Sequence, residues 1–215
     1  MPHLAPTLTP RLLLSAYAEG IFPMAMQRDD PELHWFSPAR RGIMPLDGVH
    51  VSRSLRRAVA RSDYEVRLNT AFGDVVTACG ARPETWINAN LAETYDALHA
   101  IGHAHSLEIW RGGALAGGIF GVTLGGAFFG ESMFSHHRDG SKLAMVWLVD
   151  RLRRAGFLLF DTQYLTPHLA SLGGIEIPRA RYGTLLNKAL AVSADIAAPG
   201  ASTPYDVLQR ISQIS

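Results

Sequence analysis

Asp161 and Gln163 stand where an apolar run ends. Asp161 follows four apolar residues directly, and Gln163 lies two positions further on, with the same facing along a strand. A carboxylate at the C-terminal end of a buried strand lies where open α/β sheets bind ligands, and partial desolvation suits a general base. The alternative is an aspartate that only stabilises a turn. The pattern indicates a catalytic pair that shares a proton or a substrate hydrogen bond.

Glu131 is a second carboxylate at the end of an apolar strand. Strand alternation predicts that it shares one face with Met133 and that Phe134 points to the other. A carboxylate next to Met and Phe side chains could bind a cationic group that is attached to an apolar one. The alternative is a surface glutamate, because charged residues are seldom buried unless they are paired.

Basic residues form a stripe on one predicted helix. Four arginines recur at helical spacing, and no acidic residue lies between residues 49 and 62. Clustered arginine favours phosphate, although a solvated helix face is the commoner case. Lys142 begins a later helix and could bind phosphate together with the helix N-terminus. The stripe consists of Arg53, Arg56, Arg57 and Arg61, and Arg40, Arg41, Arg151, Arg153 and Arg154 could extend it.

The histidines and the cysteine suggest no metal site. The pairs His103/His105 and His136/His137 could ligate a metal, but neither has a third ligand at zinc spacing, so we expect structural roles. Cys79 lies in an apolar helical pattern that is typical of a core position. A single cysteine excludes a disulfide framework and suits a reducing cytosol.

The composition is that of a globular protein. Of 215 residues, 47% are hydrophobic and 18% are charged, and the net charge is +1. A nucleic-acid site must therefore be a local patch. No signal peptide is visible at the N-terminus, and the longest uncharged stretch, residues 114–130, is too short for a membrane span. We expect a soluble cytoplasmic protein.

Periodicity predicts a mixed α/β, or α+β, fold. Residues 23–45 contain four prolines and are predicted to be irregular, and Ser141 is a predicted helix cap. The meander followed by a helix and a buried strand resembles the GNAT acyltransferase arrangement. We expect a small N-terminal domain, residues 1–42, and a GNAT-like domain, residues 43–215. Predicted helices cover residues 9–20, 52–60, 70–79, 90–102, 141–155 and 181–192, and predicted strands cover 63–69, 106–110, 115–122, 127–133 and 157–161.

Ordered motifs make the chain resemble the leucyl/phenylalanyl-tRNA–protein transferases from about residue 9 to residue 190. The most specific motif is Gly-Glu-Ser-Met-Phe-Ser at residues 130–135. The resemblance implies an enzyme that moves Leu or Phe from aminoacyl-tRNA to the α-amino group of proteins that begin with Arg or Lys. This marks those proteins for degradation under the N-end rule. No metal or organic cofactor is implied. The other matching runs are residues 19–23, 36–38, 50–55, 85–87, 98–99, 102–106, 118–122, 141–142, 161–163, 168–173 and 178–179.

The resemblance also implies roles for single residues. Asp161 and Gln163 match the catalytic pair that helps the incoming amine lose its proton, and Glu131 matches a substrate-binding acid. Trp86 matches a tryptophan near the terminal adenosine of the tRNA. Met24 departs from a frequent tryptophan. The candidates for the apolar pocket are Ile119, Phe128, Met133 and Leu148; Arg53, Arg57 and Arg61 match tRNA-binding residues, and Gly140 replaces a usual alanine in what we expect to be a harmless change.

Two other classes of protein fit less well. An acyl-CoA-dependent N-acyltransferase on the same fold would need an Arg/Gln-x-x-Gly-x-Gly/Ala turn. Only Arg153 has glycine three residues later, at Gly156, and the fifth residue is then Leu158. A non-catalytic RNA-binding module would not need an acid at a buried strand end.

Overall fold

The computed structural model describes residues 8–61 and 63–213 as a mixed α/β protein built on a seven-stranded sheet. The helices are α1 (Pro10–Ala18), α2 (Arg53–Ala60), α3 (Phe72–Gly80), α4 (Ala89–Ala100), α5 (Gly140–Arg154), α6 (Pro167–Ser171), α7 (Arg179–Leu190) and α8 (Pro204–Ser212). The strands are β1 (Phe22–Met24), β2 (His34–Phe36), β3 (Arg40–Ile43), β4 (Glu65–Leu68), β5 (Ala104–Arg111), β6 (Ala114–Leu124), β7 (Ala127–Ser135), β8 (Leu159–Gln163) and β9 (Ile175–Pro178).

The sheet is antiparallel except at one pair of strands. Its order is β4-β5-β6-β7-β8-β3-β9, and β1 pairs with β2 in a separate two-stranded sheet. β7 and β8 run parallel because α5 connects them, and their pairing ends at Phe129 and Asp161. Beyond this point β7 pairs only with β6, whereas β8 pairs with β3. The two parallel strands therefore separate towards their C-terminal ends, within the sheet.

Helices cover both faces of the main sheet and bury two groups of apolar side chains. The first group lies under α2, α5 and α8 and includes Leu55, Leu148 and Val207. The second lies under α1, α3, α4 and α7 and includes Tyr17 and Tyr95. A sheet that is apolar on both faces is stable only in such a layered arrangement. The C-terminal ends of β7 and β8 are therefore held between two packed layers.

The predicted helices and strands are confirmed to within a few residues at each end. The prediction that residues 23–45 are irregular is wrong, because β2 and β3 lie inside this range and β1 enters it. These strands have only three or four residues, too few for alternation to show, and β3 is stabilised by distant partners in β8 and β9. Ser141 is not a cap either: α5 begins at Gly140, after Asp139 in a left-handed conformation.

Two glycines bring the start of α5 against β6. A Cβ atom on Gly140 would lie 2.5 Å from the carbonyl oxygen of Ala116, and one on Gly117 would lie 2.6 Å from the backbone of Gly140. Real Cβ atoms do not approach backbone so closely. In this backbone, alanine at position 140 would therefore not fit without a local shift.

We predict that Gly140→Ala lowers the free energy of unfolding by about 1–3 kcal/mol, because the methyl group forces the helix away from β6. Gly183→Ala is the matched control, since Gly183 lies inside α7 with no atom near the added carbon. That change should raise stability by about 0.5–1 kcal/mol. Urea unfolding followed by circular dichroism measures both, and equal stabilities of the two variants would contradict the prediction.

Candidate active site

Glu131 occupies a β-bulge in β7. Gly121 pairs with Gly130 and Phe120 pairs with Ser132, so Glu131 has no residue opposite it on β6. An extra residue reverses the alternation of the strand beyond it, and bulges often redirect a side chain next to an active site. The prediction that Glu131 shares a face with Met133 is therefore wrong, because the bulge turns Glu131 towards the layer that contains α1 and α4.

The Glu131 carboxylate accepts three hydrogen bonds. Tyr17 Oη donates to Oε1 at 2.7 Å, Tyr95 Oη donates to Oε2 at 2.9 Å, and Gln163 Nε2 donates to Oε1 at 3.3 Å. Burial raises the pKa of Glu131 to about 7, and the nearby charge of Asp161 adds to this, although the two tyrosine hydrogen bonds oppose it. Across residues 8–61 and 63–213, no cationic side chain forms an ion pair with it. Glu131 is therefore a partly buried acid that no cation of the described residues pairs with directly.

Asp161, by contrast, is completely buried and fully paired. Arg41 Nε donates to Oδ1 at 2.8 Å, and Arg41 Nη2 donates to Oδ2 at 2.6 Å. Tyr182 Oη donates to Oδ2 at 2.7 Å, and the backbone N–H of Gln163 donates to Oδ1 at 2.8 Å. Because these bonds occupy both oxygens and the side chain has no exposed surface, a ligand in the cavity cannot contact Asp161 directly.

Arg41 belongs to this site and not to an RNA-binding surface, so its predicted place in the basic patch is wrong. It is 1% exposed, and its guanidinium carbon lies 4.4 Å from the ring centre of Phe22 and 4.7 Å from that of Tyr182. A further N–H donates to the carbonyl oxygen of Gly20 at 3.0 Å. Burial alone lowers the pKa of Arg41, but the hydrogen bond from Arg41 to Asp161 raises that pKa overall.

Gln163 connects the two carboxylates. It is the last residue of β8 and has a φ of 56°, a left-handed conformation that is rare outside glycine and asparagine. Its backbone bonds Asp161 and its side-chain amide bonds Glu131, so both acids hold it in this conformation. A strained, well-anchored residue is typical of a functional position. Since its amide N–H₂ bonds Glu131, its amide oxygen remains to accept a hydrogen bond from a ligand.

A cavity of about 620 Å³ opens between the separated ends of β7 and β8. Glu131 and Gln163 are polar residues of its wall, whereas Asp161 lies behind the wall. Of the residues predicted to form an apolar pocket, Ile119 and Met133 line it. Phe128 and Leu148 do not line it, and each is only 1% exposed. The apolar part of the wall also includes Met145, Phe160 and Leu169, and Phe22, Met24 and Trp86 line it as well.

The predicted basic stripe forms on α2, away from the cavity wall. All four arginines are exposed, and in the described part of the chain none of them has an ion-pair partner. Lys142 lies in the first turn of α5, with its Nζ 3.7 Å from Asp139 Oδ1. Two residues that could extend the stripe are engaged elsewhere. Arg151 donates to the Ile196 carbonyl, and Arg154 donates to Ser202 and to the Gly200 carbonyl. The stripe consists of Arg53, Arg56, Arg57 and Arg61.

The pair His103/His105 and Cys79 have structural surroundings, whereas His136 and His137 are exposed. His103 Nδ1 lies 3.0 Å from the Thr123 carbonyl oxygen, and His105 bonds Asn69 and the Gly102 carbonyl. Burial raises the pKa of the Cys79 thiol to about 12, which is unlike a nucleophile.

Arg41, Tyr17, Tyr95 and Tyr182 are the site residues that sequence reasoning missed. Their partners are distant along the chain: 114 residues separate Tyr17 from Glu131, and 120 separate Arg41 from Asp161. One signal could have indicated that Arg41 or its neighbour is buried. Arg40 and Arg41 are adjacent, and adjacent side chains on a strand point to opposite faces, so only one of the two can face solvent.

Comparison with known proteins identifies the family to which the chain is related. The family described as leucyl/phenylalanyl-tRNA protein transferase matches residues 43–187, and the N-terminal domain of the same family matches residues 7–39. A transferase of that name from Cereibacter sphaeroides is 62% identical over 98% of this chain and 99% of its own length. One from Ruegeria pomeroyi is 54% identical over 97% of this chain and all of its own.

The chain belongs to the leucyl/phenylalanyl-tRNA protein transferase family. It is an aminoacyltransferase, and its donor is an aminoacyl-tRNA. The structure is also similar in fold to a crystal structure of FemX, with a TM-score of 0.52 and 11% identity, over 77% of this chain and 66% of that one. In the described residues no helix is long and apolar enough to cross a membrane.

We predict that Glu131→Gln stabilises the protein increasingly as the pH rises. The pKa of this carboxyl rises from 4.5 to about 7 on folding, so its ionisation costs the native state stability between those two pH values and costs nothing below them. The variant lacks this cost, so its advantage over the wild type should grow by up to about 3 kcal/mol between about pH 4.5 and pH 8.

Urea unfolding at several pH values measures this difference. Glu93→Gln is the control, since it makes the same substitution at an exposed position on α4, outside the site. A pH-independent difference between the wild type and Glu131→Gln would contradict the prediction.

Proposed function

We propose that the enzyme transfers Leu or Phe from tRNA to the α-amino group of proteins that begin with Arg or Lys, and that it does so in the cytoplasm, marking them for degradation under the N-end rule. The observation that carries the acceptor specificity is Glu131, a partly buried carboxylate in the cavity wall that forms no ion pair with any described residue. The nearby Arg41 is already paired with Asp161. A cationic acceptor side chain supplies the missing charge.

Binding of such an acceptor is coupled to the protonation of Glu131. A cation next to the carboxylate favours its ionised form, so it lowers a pKa that burial holds near neutrality. Tyr17 and Tyr95 donate to both carboxylate oxygens and fix their direction. A neutral or acidic first residue gains nothing from this group, and an acidic one is repelled. The site therefore distinguishes acceptors by charge.

The apolar part of the cavity takes the Leu or Phe side chain of the donor. Ile119, Met133, Met145, Phe160 and Leu169 line it, and they offer no charge to a side chain. An apolar wall of this kind separates similar aliphatic side chains by only about 1–3 kcal/mol. Trp86 lies in the same wall, and we propose that it stacks on the terminal adenine.

Asp161 and Gln163 form the proposed catalytic pair, with unequal parts. Asp161 lies behind the wall and fixes the backbone of Gln163, whereas the Gln163 amide faces the cavity. The amide oxygen accepts a hydrogen bond from the attacking α-amine and directs its lone pair at the ester carbonyl. Nitrogen then bonds to the carbonyl carbon, the ester C–O bond breaks, and the proton lost by nitrogen is gained by the ribose oxygen.

The fold that we propose for the main sheet is GNAT-like. The support is an antiparallel meander, β4 to β7, followed by α5 and a parallel strand that separates from its neighbour. The division into residues 1–42 and 43–215 stays a prediction; β3 crosses position 42 and belongs to the main sheet.

Acceptor choice tests the proposed function directly. With radiolabelled Leu-tRNA, we expect transfer to peptides that begin with Arg or Lys and not to otherwise identical peptides that begin with Asp, Glu or Ala. Glu131→Gln should lower kcat/KM for the Arg peptide by at least about tenfold, because a charged hydrogen-bond partner is lost. Glu93→Gln should change nothing. Transfer to acidic N-termini alone would reverse the proposed specificity, and full activity of Glu131→Gln would remove this residue from the acceptor site.

Removal of the Gln163 amide tests the catalytic pair. We expect Gln163→Ala to slow single-turnover transfer about 100-fold, a typical loss when the attacking group is no longer held in position, with little change in tRNA affinity. Gln209→Ala, on the exposed face of α8, is the control. An unchanged turnover rate in Gln163→Ala would contradict this assignment.

The arginine stripe on α2 is proposed to bind the acceptor stem of the tRNA. The double variant Arg53→Ala/Arg57→Ala should weaken tRNA binding. The magnitude of the slope of the logarithm of the tRNA association constant against the logarithm of the salt concentration should fall by about 1 to 2, because two phosphate contacts are lost. The control removes the same charge from other helices, in Arg11→Ala/Arg181→Ala. Equal slopes for both double variants would place the tRNA elsewhere.

A further inference from the structure

Two polar atoms in the cavity wall are buried without a hydrogen-bond partner. They are Thr162 Oγ1 and His168 Nε2; among residues 8–61 and 63–213, the third such side-chain atom is Arg111 Nε, at the far end of β5. Thr162 is only 8% exposed. A buried polar atom without a partner costs about 1–3 kcal/mol, so two of them in one cavity indicate a ligand that bonds them.

Both atoms belong to one wall of the cavity. Thr162 precedes Gln163 in β8, and His168 lies in the first turn of α6, directly after the same strand. Thr162 points away from the face that carries Asp161, towards the layer under α5, as strand alternation requires. The two atoms are therefore placed beside the apolar pocket and next to the catalytic amide, where the ester end of the donor must lie.

The surroundings of His168 define which chemical group fits there. Burial lowers the pKa of this imidazole, and the positive charges of Lys142 and Arg82 lower that pKa further. A neutral imidazole nitrogen and a threonine hydroxyl match a hydroxyl group, which both donates and accepts. Lys142 and Arg82 lie near this imidazole; Asp139 lies 3.7 Å from Lys142, and Arg82 donates to the Met133 carbonyl. A ribonucleotide carries a hydroxyl group close to a phosphate, so it has both of the groups that these side chains would bind.

We propose that Thr162 and His168 bind the free hydroxyl of the terminal ribose, the one adjacent to the aminoacyl ester, and that Arg82 and Lys142 lie beside the phosphate of that nucleotide. This inference rests on the proposed function only in taking aminoacyl-tRNA as the donor. The two residues are positioning residues: they hold the ribose so that the ester carbonyl faces Gln163, and no proton transfer is assigned to them.

The experiment pairs changes in the enzyme with a change in one substrate atom. Single-turnover transfer of Phe to an Arg-initiated peptide is measured with tRNA that ends in adenosine and with tRNA that ends in 2′-deoxyadenosine. The enzymes are the wild type, Thr162→Val, His168→Ala and His168→Gln, whose amide N–H₂ replaces the imidazole donor. His103→Ala is the matched control, because His103 bonds the Thr123 carbonyl and does not line the cavity.

We expect the 2′-deoxy substitution to slow the wild type and His103→Ala about tenfold, the loss of roughly one hydrogen bond. In His168→Ala and Thr162→Val the same substitution should slow transfer less than about threefold, because the partner of the hydroxyl is already missing. His168→Gln should regain part of the wild-type sensitivity. The intrinsic effect of the 2′-deoxy group on ester reactivity is common to all enzymes and cancels in this comparison.

A tenfold penalty in every variant would overturn the inference, since neither side chain would then sense the hydroxyl. The affinity of each enzyme for the two uncharged tRNAs, measured in parallel, gives the same comparison without transfer. If the wild type fails to transfer Phe but its affinity depends on the hydroxyl through His168, the proposed acceptor chemistry fails and the ribose site stands. If transfer proceeds and the 2′-deoxy penalties are equal in all enzymes, the proposed ribose site fails and the proposed acceptor chemistry stands.

Discussion

The ion pair between Arg41 and Asp161 is the interaction on which the rest of the site depends. It joins β3 to β8, and through the Gly20 carbonyl and the Phe22 ring it also fixes the segment that follows α1. Removal of one partner from a buried pair leaves an uncompensated charge and typically costs about 3–5 kcal/mol. Because α1 carries Tyr17, the same pair indirectly places the hydroxyl that bonds Glu131.

The two carboxylates lie close together but have opposite environments. Asp161 is neutralised by a guanidinium and is held away from the cavity, whereas Glu131 faces the cavity and has only neutral hydrogen-bond donors. Environments that separate the protonation of neighbouring acids are a general means of giving them different roles. The division that we propose is between an acid that supports the structure of the centre, Asp161, and an acid that binds the acceptor, Glu131.

Local patterns predicted much of the fold and part of the site. Thr9 caps α1 and Ser52 caps α2, so these helices began where the sequence indicated. Asp161 and Glu131 were predicted because each follows an apolar run, and Gln163 because it lies two residues after Asp161. The errors arose where distant partners decide the structure: the three-residue strand β2, the buried Arg41, and the position of Phe128 behind the cavity wall. No pattern within a short window specifies which residues 120 positions apart will meet.

The bulge at Glu131 also constrains how the gene can change. The two halves of β7 have opposite phase, so Phe129 and Phe134 reach the same layer only because one extra residue stands between them. Deletion of a single codon here would move the side chains of one half of the strand to the opposite face of the sheet, because a one-residue shift reverses the facing of every side chain. The tight turn at Gly112–Gly113, where added atoms meet open space, carries no such restriction. Insertions and deletions between relatives should therefore collect at that turn and be absent from the bulge.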